Sequence, residues 1–247
     1  MTQPIILITN DDGYGAAGIE ALAAAAQELG EVWVVAPATE QSGVSSKISL
    51  HEPVRLIQHG ERRFAVTGSP ADCAYIALTH MLEERPAIVL SGINHGANLG
   101  DDVMYSGTVA AALEATLNDV PAIAVSLAAF GRDLDYSGAA AIAVEYAHKV
   151  IDKGLPRDTL LNINVPRGGT VDSPRLVTKL GRRNYLREVS EKRDPRGKPY
   201  YWIGGAEIDF DDLPGSDCNA ISAGNVSITP VQADMTRYKF IDELASW

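Results

Sequence analysis

Cysteine is nearly missing from this chain of 247 residues. The two present, Cys73 and Cys218, are isolated, and neither belongs to a C-x-x-C pair. Their spacing argues against a zinc site or a dithiol redox centre, and a reducing compartment is the expected setting. Positive charge is also in deficit: 21 Lys and Arg stand against 32 Asp and Glu, a formal net charge of −11. Neither a nucleic-acid polymer nor an anionic membrane surface is therefore an expected partner. No apolar run is long enough to cross a bilayer uninterrupted, and no basic segment precedes the first strand. A cytoplasmic protein is expected. The G-x-S-x-G elbow of serine hydrolases does not occur. Without internal repeats or low-complexity stretches, the length suits one large α/β domain or a domain with a substantial appendage.

What the chain does contain is an alternation of short apolar runs with helical stretches. Positions 4–9, 32–36, 87–91 and 121–127 read as buried parallel strands, and 19–29, 69–84 and 108–117 as the helices between them. Ser69-Pro70-Ala71-Asp72 is a strong helix start, with Ser as N-cap, Pro at the first helical position and Asp in the first turn. The polar, alternating stretch 49–66 suits a β-hairpin lying off the main sheet. An amphipathic helix over 136–152 and a strand over 160–165 follow. After Pro166 the helical period fades. Tyr200-Tyr201-Trp202-Ile203 and Val226-Ser227-Ile228-Thr229-Pro230 read as strands bounding a long loop. The expected organisation is a doubly wound, Rossmann-like core over 1–166, mostly parallel. A β-rich extension over 167–247 follows, whose aromatic strands suit subunit contact.

The first strand ends on Asp11 and Asp12 and opens into Gly13-Tyr14-Gly15-Ala16-Ala17-Gly18, a G-x-G-x-x-G run between strand and helix. That is the dinucleotide fingerprint in its proper place, with Glu40 available as the ribose-binding acid. The aspartates argue against it, because two fixed negative charges repel a pyrophosphate unless a cation stands between. An Asp-Asp pair at a strand's carboxyl end seats a hard divalent ion such as Mg²⁺ or Mn²⁺. Neighbouring strand residues point to opposite faces, so both carboxylates reach one ion only if the chain turns at Asp12, which Gly13 permits.

Three more loops end apolar runs and are rich in oxygen ligands or glycine. They are 36–46 with Ser42-Gly43, the asparagine-rich 91–102, and Tyr105-Ser106-Gly107-Thr108 at the start of a helix. In an open parallel sheet such loops converge on one crevice, and a helix N-terminus offers free N–H groups to an anion. Ser106 reads as an N-cap, a role compatible with binding phosphate. His95 reads as an exposed or capping residue rather than a general base. Asp101 and Asp102 read as a turn or as support for other groups, and Cys73 as core.

Asn10-Asp11-Asp12-Gly13, Ala36-Pro37 with Ser42-Gly43, and Gly68-Ser69-Pro70-Ala71-Asp72-Cys73 come first in a series of motifs. The run from Ser91 to Asp102 and Tyr105-Ser106-Gly107-Thr108-Val109-Ala110-Ala111-Ala112 continue it. Leu161-Asn162-Ile163-Asn164-Val165-Pro166, Asp194-Pro195-Arg196-Gly197 and Val226 to Pro230 complete it. In this order they resemble the SurE survival-protein family of 5′/3′-nucleotidases over nearly the whole chain.

The resemblance implies a phosphatase acting on nucleoside monophosphates, with short polyphosphate as a further substrate of some members. It implies one divalent ion per subunit, Mg²⁺ or Mn²⁺, held by Asp11, Asp12, Ser42 and Asn94. Gly43, Asn98, Ser106, Gly107 and Thr108 would line the phosphate site, and the protein would be a homodimer or homotetramer. Asp11 and Asp12 would be the catalytic residues, with water attacking phosphorus directly and one carboxylate accepting its proton. Ala17, His95 and Asn225 depart from the family pattern, and none is an expected ligand. An NAD-dependent oxidoreductase and a non-catalytic nucleotide-binding oligomer are the alternatives. The first leaves the aspartates and asparagines unexplained, and the second predicts binding without turnover.

Overall fold

Ile5-Ile6-Leu7-Ile8-Thr9 is a run of branched residues that cannot shed its apolar surface on one face alone, and it forms an interior strand of the sheet. The computed structural model describes residues 3–185, 189–204 and 208–247. The strands are β1 (Ile5–Thr9), β2 (Glu31–Pro37), β3 (Leu56–Gly60), β4 (Arg63–Val66), β5 (Ile88–His95), β6 (Ala122–Ala128) and β7 (Thr159–Pro166). Then come β8 (Arg175–Val177), β9 (Arg183–Tyr185), β10 (Val189–Arg193), β11 (Pro199–Ile203), β12 (Ile208–Phe210) and β13 (Val226–Gln232). The helices are α1 (Ala17–Ala25), α2 (Pro70–Ile76), α3 (Gly107–Leu117), α4 (Ser137–Lys153), α5 (Asp217–Ser222) and α6 (Ile241–Ala245).

The main sheet runs β3-β4-β2-β1-β5-β6-β7-β13-β8, with β2, β1, β5, β6 and β7 mutually parallel. Strand order reverses between β1 and β5, the switch point at which doubly wound sheets open a crevice beyond their strand ends. Alternation of side chains divides the core into two layers. Ile6, Ile8, Leu90, Ile123, Val125 and Ile163 pack on the face covered by α1 and α4. Leu7, Val35, Val89, Ala122, Ala124 and Leu160 pack on the face covered by α2 and α3. No helix among the described residues is long and apolar enough to cross a membrane.

Ser69 caps α2 as its sequence predicts. Its hydroxyl accepts from Asp72 N–H, and Asp72 accepts from Ser69 N–H in return, a full capping box with Pro70 at the first turn. The helix is shorter than the predicted 69–84: after Ile76 the chain widens into a π-helical turn over Ala77–Met81. The stretch 49–66 corrects another expectation. Its hairpin does not lie off the sheet; β4 joins β2 in parallel, and β3 pairs with β4 antiparallel as the edge strand. The half-buried stretch Arg63–Val66 covers the open edge of β2, which would otherwise present unpaired backbone groups.

The chain after Pro166 returns to the same sheet. β13 pairs antiparallel with β7 and parallel with β8, so the central sheet extends into the C-terminal region. Two small two-stranded pairs, β10–β11 and β9–β12, stand outside it. Of the extension expected over 167–247, positions 186–188 and 205–207 lie outside the described residues.

Candidate active site

The switch point brings loops from β1, β2, β5 and α3 around one cleft of about 700 Å³. Asp11, Ser42, Gly43, Asn94, Asn98 and Ser106 line it, residues spread over the first half of the sequence. Asp12 sits at its margin, where one carboxylate oxygen, Oδ2, accepts the His95 N–H at 2.9 Å. The turn that carries both aspartates is held locally. Asn10 Nδ2 donates to the Gly13 carbonyl at 2.9 Å, Gly13 takes φ +100°, and Gln41 N–H donates to the Asp11 carbonyl at 2.7 Å. Positive φ is the conformation that a side chain resists, so Gly13 is needed for the bend.

Asp11 is only 4% exposed. Burial pushes its carboxyl up to about 6; the Thr108 hydroxyl, donating to Oδ1, pulls the other way, and the neighbouring charge of Asp12 adds to the rise. Burial also raises Asp12, against the His95 N–H that holds its charged form. No Lys or Arg forms an ion pair with either carboxylate among the described residues. Two desolvated carboxylates without a Lys or Arg partner among the described residues form a strongly cation-seeking arrangement.

The neutral donors fit the same conclusion. Asn94 spends its Nδ2 on the Gly96 carbonyl at 2.9 Å, which leaves its amide oxygen available as a ligand. Ser42 donates its hydroxyl proton to Glu40 Oε1 at 2.9 Å, which leaves oxygen lone pairs free. All four are hard oxygen donors, the set that suits Mg²⁺ or Mn²⁺. Among the described residues no cluster of three or more His, Cys, Asp or Glu side chains offers a competing metal site.

Gly107 and Thr108 do not line the cleft, although the family resemblance implies both at a phosphate. Thr108 is fully buried and commits its hydroxyl to Asp11. At Gly107, an added Cβ would lie 2.8 Å from Asp11 Cβ. Helix α3 thus abuts the back of Asp11, and Ser106 caps it by accepting from Val109 N–H at 3.1 Å. An anion in the cleft would face the positive end of that helix.

Several cleft residues escape the sequence reading. Phe130 lies beyond the end of β6, 71% exposed, with its ring centroid 6.1 Å from that of His95. The rule of strand-end loops points to it, since β6 ends within two residues. Tyr185 and Ile203 complete the rim beside Tyr105, which the sequence already places in a converging loop. Asp102 also reaches the cleft, where it accepts from the Tyr185 hydroxyl and lies 3.2 Å from Arg183 Nε. Nothing local to Tyr185 or Ile203 marks them, because they arrive from the C-terminal region. His95 contributes its backbone N–H to Asp12, and its side chain is exposed.

A family model described as "Survival protein SurE" matches residues 6–187 of the chain. A protein named "5′-nucleotidase SurE" from Myxococcus xanthus is 50% identical over 244 residues, covering 98% of this chain and 92% of the relative. A second of the same name, from Geotalea daltonii, is 50% identical over 248 residues and covers 98% of each chain. Among solved structures, the crystal structure of the SurE protein from Aquifex aeolicus superposes with a TM-score of 0.86 at 37% identity. It covers 98% of this chain and 99% of its own.

Proposed function

Because the chain belongs to the SurE survival-protein family, we propose that it is a divalent-metal-dependent phosphatase that hydrolyses nucleoside monophosphates to nucleoside and phosphate. One observation carries the reading: Asp11 is buried beside Asp12 on the switch-point cleft, and neither carboxylate is ion-paired to a Lys or Arg among the described residues. Asp11, Asp12, Ser42 and Asn94 would hold the ion, Mg²⁺ or Mn²⁺. When bound, it would supply Lewis-acid compensation for charge developing on the phosphoryl oxygens.

The chain's own groups carry the remaining steps. Ser106 and the N-terminal end of α3 orient the phosphate, with Gly43 and Asn98 also lining the cleft. Asp12 keeps one oxygen engaged by His95 N–H, and the other is without a partner among the described residues. That oxygen has two lone pairs, so it can serve the ion and also take the proton of a water attacking phosphorus. Thr108 holds Asp11 in one rotamer through Oδ1, which leaves Oδ2 for the ion. The reading includes 3′-monophosphates and short polyphosphate. The cleft adjoins a groove of about 550 Å³ that shares Tyr105 and Tyr185 and is lined by Arg182, which can accept further phosphate charge.

Phosphate release from a panel of nucleoside monophosphates tests this directly. EDTA should abolish turnover and Mn²⁺ or Mg²⁺ should restore it. Ser42→Ala and Asn94→Ala should each raise the metal concentration needed, by less than loss of either carboxylate does. Undiminished turnover in EDTA would sink the metal assignment, and nucleotide binding without turnover would favour a binding protein.

The reading extends to assembly, a homodimer or homotetramer built through the 167–247 extension. The β10–β11 hairpin is exposed along both strands, with Trp202 at 63% and Ile203 at 89%. A lone two-stranded hairpin is marginal in water, so contact with a second copy would account for these aromatics. Light scattering at micromolar concentration should report a dimer or tetramer, and a clean monomer removes the idea.

A further inference from the structure

Asn98 lies beyond the end of β5, without a strand neighbour, and yet its backbone is bonded from beneath on both sides. Its N–H donates to Asn164 Oδ1 at 2.8 Å. Its carbonyl accepts from Asn164 Nδ2 at 3.0 Å and from Asn162 Nδ2 at 2.8 Å. A single side-chain amide, that of Asn164, therefore grips both backbone polar groups of one residue, as a neighbouring strand would. The Asn98 side chain is held as well, its Nδ2 donating to Ser126 Oγ at 2.8 Å.

The three supporting side chains come from the floor of the sheet. Ser126 and Asn164 are register partners on β6 and β7, and Asn162 stands two residues earlier on the same face. All three are fully buried, whereas Asn98 reaches the cleft. The rest of β7 is what a buried strand wants, with Leu160, Leu161, Ile163 and Val165. Asparagine is depleted from strands, and a buried amide is unfavourable unless fully bonded. Asn162 is not fully bonded: its Oδ1 is buried with no partner among the described residues. An apolar residue there would serve stability better, so the amides answer to another requirement. The bonds they make all converge on one residue of the cleft wall.

We infer that Asn162, Asn164 and Ser126 are positioning residues for the hydrolysis. They fix the loop that carries Asn98, so that the second N–H of its amide meets the substrate phosphate already oriented. This rests on the reading of the cleft as a nucleotidase site with Asn98 on its wall. Preset geometry of this kind matters because a displacement of about 1 Å can lower a rate by roughly 10²-fold.

The test measures adenosine 5′-monophosphate hydrolysis and inhibition by inorganic phosphate in the metal-loaded protein, alongside thermal melting. Asn98→Ala should lower kcat/KM by roughly 10²-fold. Asn164→Leu, similar in shape but without hydrogen bonds, should lose about as much and weaken phosphate inhibition in parallel. Because Asn164 acts through Asn98, the double variant should be little worse than Asn98→Ala alone. Ser126→Ala removes one hydroxyl and should cost about tenfold, again with little added loss in the Asn98→Ala background. Thr178→Val is the control. Its hydroxyl bonds Ser227 and Thr229 further along the same layer and makes no bond to Asn98, so turnover should stay unchanged.

Folded Asn164→Leu or Ser126→Ala with full turnover would overturn the inference, and so would losses that multiply in full on top of Asn98→Ala. If Asn164→Leu does not fold, Ser126→Ala decides. Full turnover of Asn98→Ala would instead remove the underlying reading of the cleft, and the inference with it.

Discussion

Asp11→Asn is expected to melt higher than the parent protein in EDTA at neutral pH and to release phosphate at least about 10²-fold more slowly in the presence of metal. The two effects share one cause. Burial raises the Asp11 carboxyl to about 6 from its ordinary 3.8, so in metal-free protein at pH 7 the fold carries a charge it disfavours. A tenfold difference in proton affinity corresponds to about 1.4 kcal/mol, which makes the penalty about 3 kcal/mol. The sign follows from proton uptake. Between 3.8 and 6 the folded chain binds the proton more tightly than the unfolded one, so this penalty is full above about 6 and disappears as pH falls below 3.8. Asn keeps the shape and can still accept from the Thr108 hydroxyl, but it is neutral at every pH.

Melting curves in EDTA at pH 5 and pH 7 should therefore show the gain from Asp11→Asn shrinking at the lower pH. In excess Mg²⁺ or Mn²⁺ the order should reverse, because the ion stabilises only the chain that binds it. A variant that keeps full activity in EDTA would move the chemistry elsewhere. A phosphoryl group trapped by acid on Asp11 or Asp12 would keep the site and change the nucleophile.

Gly18→Ala should be severely damaging, while Gly15→Ala should be close to silent. Both glycines belong to the same G-x-G-x-x-G run. A Cβ on Gly18 would stand 2.0 Å from the Ile93 carbonyl oxygen and 3.3 Å from Tyr136 Cε1. The obstacle is the backbone of β5, which cannot yield as a side-chain tip does, so a loss of about 3 kcal/mol or more is expected. Ile93 immediately precedes Asn94, so a shift there also disturbs the proposed ligand set. Around Gly15 no atom of the described residues, its chain neighbours apart, lies within 4 Å of the added Cβ, and its φ is not positive. Its substitution should leave stability within about 0.5 kcal/mol, with activity retained.

The contrast separates two uses of one motif. In a dinucleotide-binding domain the middle glycine lets the backbone approach the pyrophosphate and the third allows close helix–strand packing. Here the packing requirement is present at Gly18. NAD should not bind at concentrations where a divalent ion does, as calorimetric titration can establish. Parent-like stability of Gly18→Ala in urea would refute the packing argument. NAD binding that survives Asp11→Ala, but not Gly15→Ala, would revive the oxidoreductase reading.

Much of this protein follows from interactions that are local along the chain. Apolar runs that bury both faces give the parallel strands, and glycine after Asp12 gives the bend. Ser69-Pro70-Ala71-Asp72 starts α2 in the way its residue types dictate. Since ligands gather at the carboxyl ends of parallel strands, the loops bearing Asp11, Ser42, Asn94 and Ser106 are identifiable as partners from residue order alone. Other features had no local signal. The hairpin at β3–β4 joins the sheet because β2 has an edge to cover, and β13 inserts beside β7 from a distant part of the sequence.

The contacts that make the cleft specific are longer still. Thr108 meets Asp11 across 97 positions, Tyr185 meets Asp102 across 83, and Asn164 meets the Asn98 backbone across 66. Architecture and the chemical types at the strand ends were legible along the chain, because periodicity, capping and turn formation act over a few residues. Packing in three dimensions set which side chains are desolvated, which hydroxyl is spent behind Asp11, and which buried amides hold the wall of the cleft. Burial and hydrogen-bond pairing depend on atoms brought from elsewhere in the chain, and no pattern along a single segment encodes them.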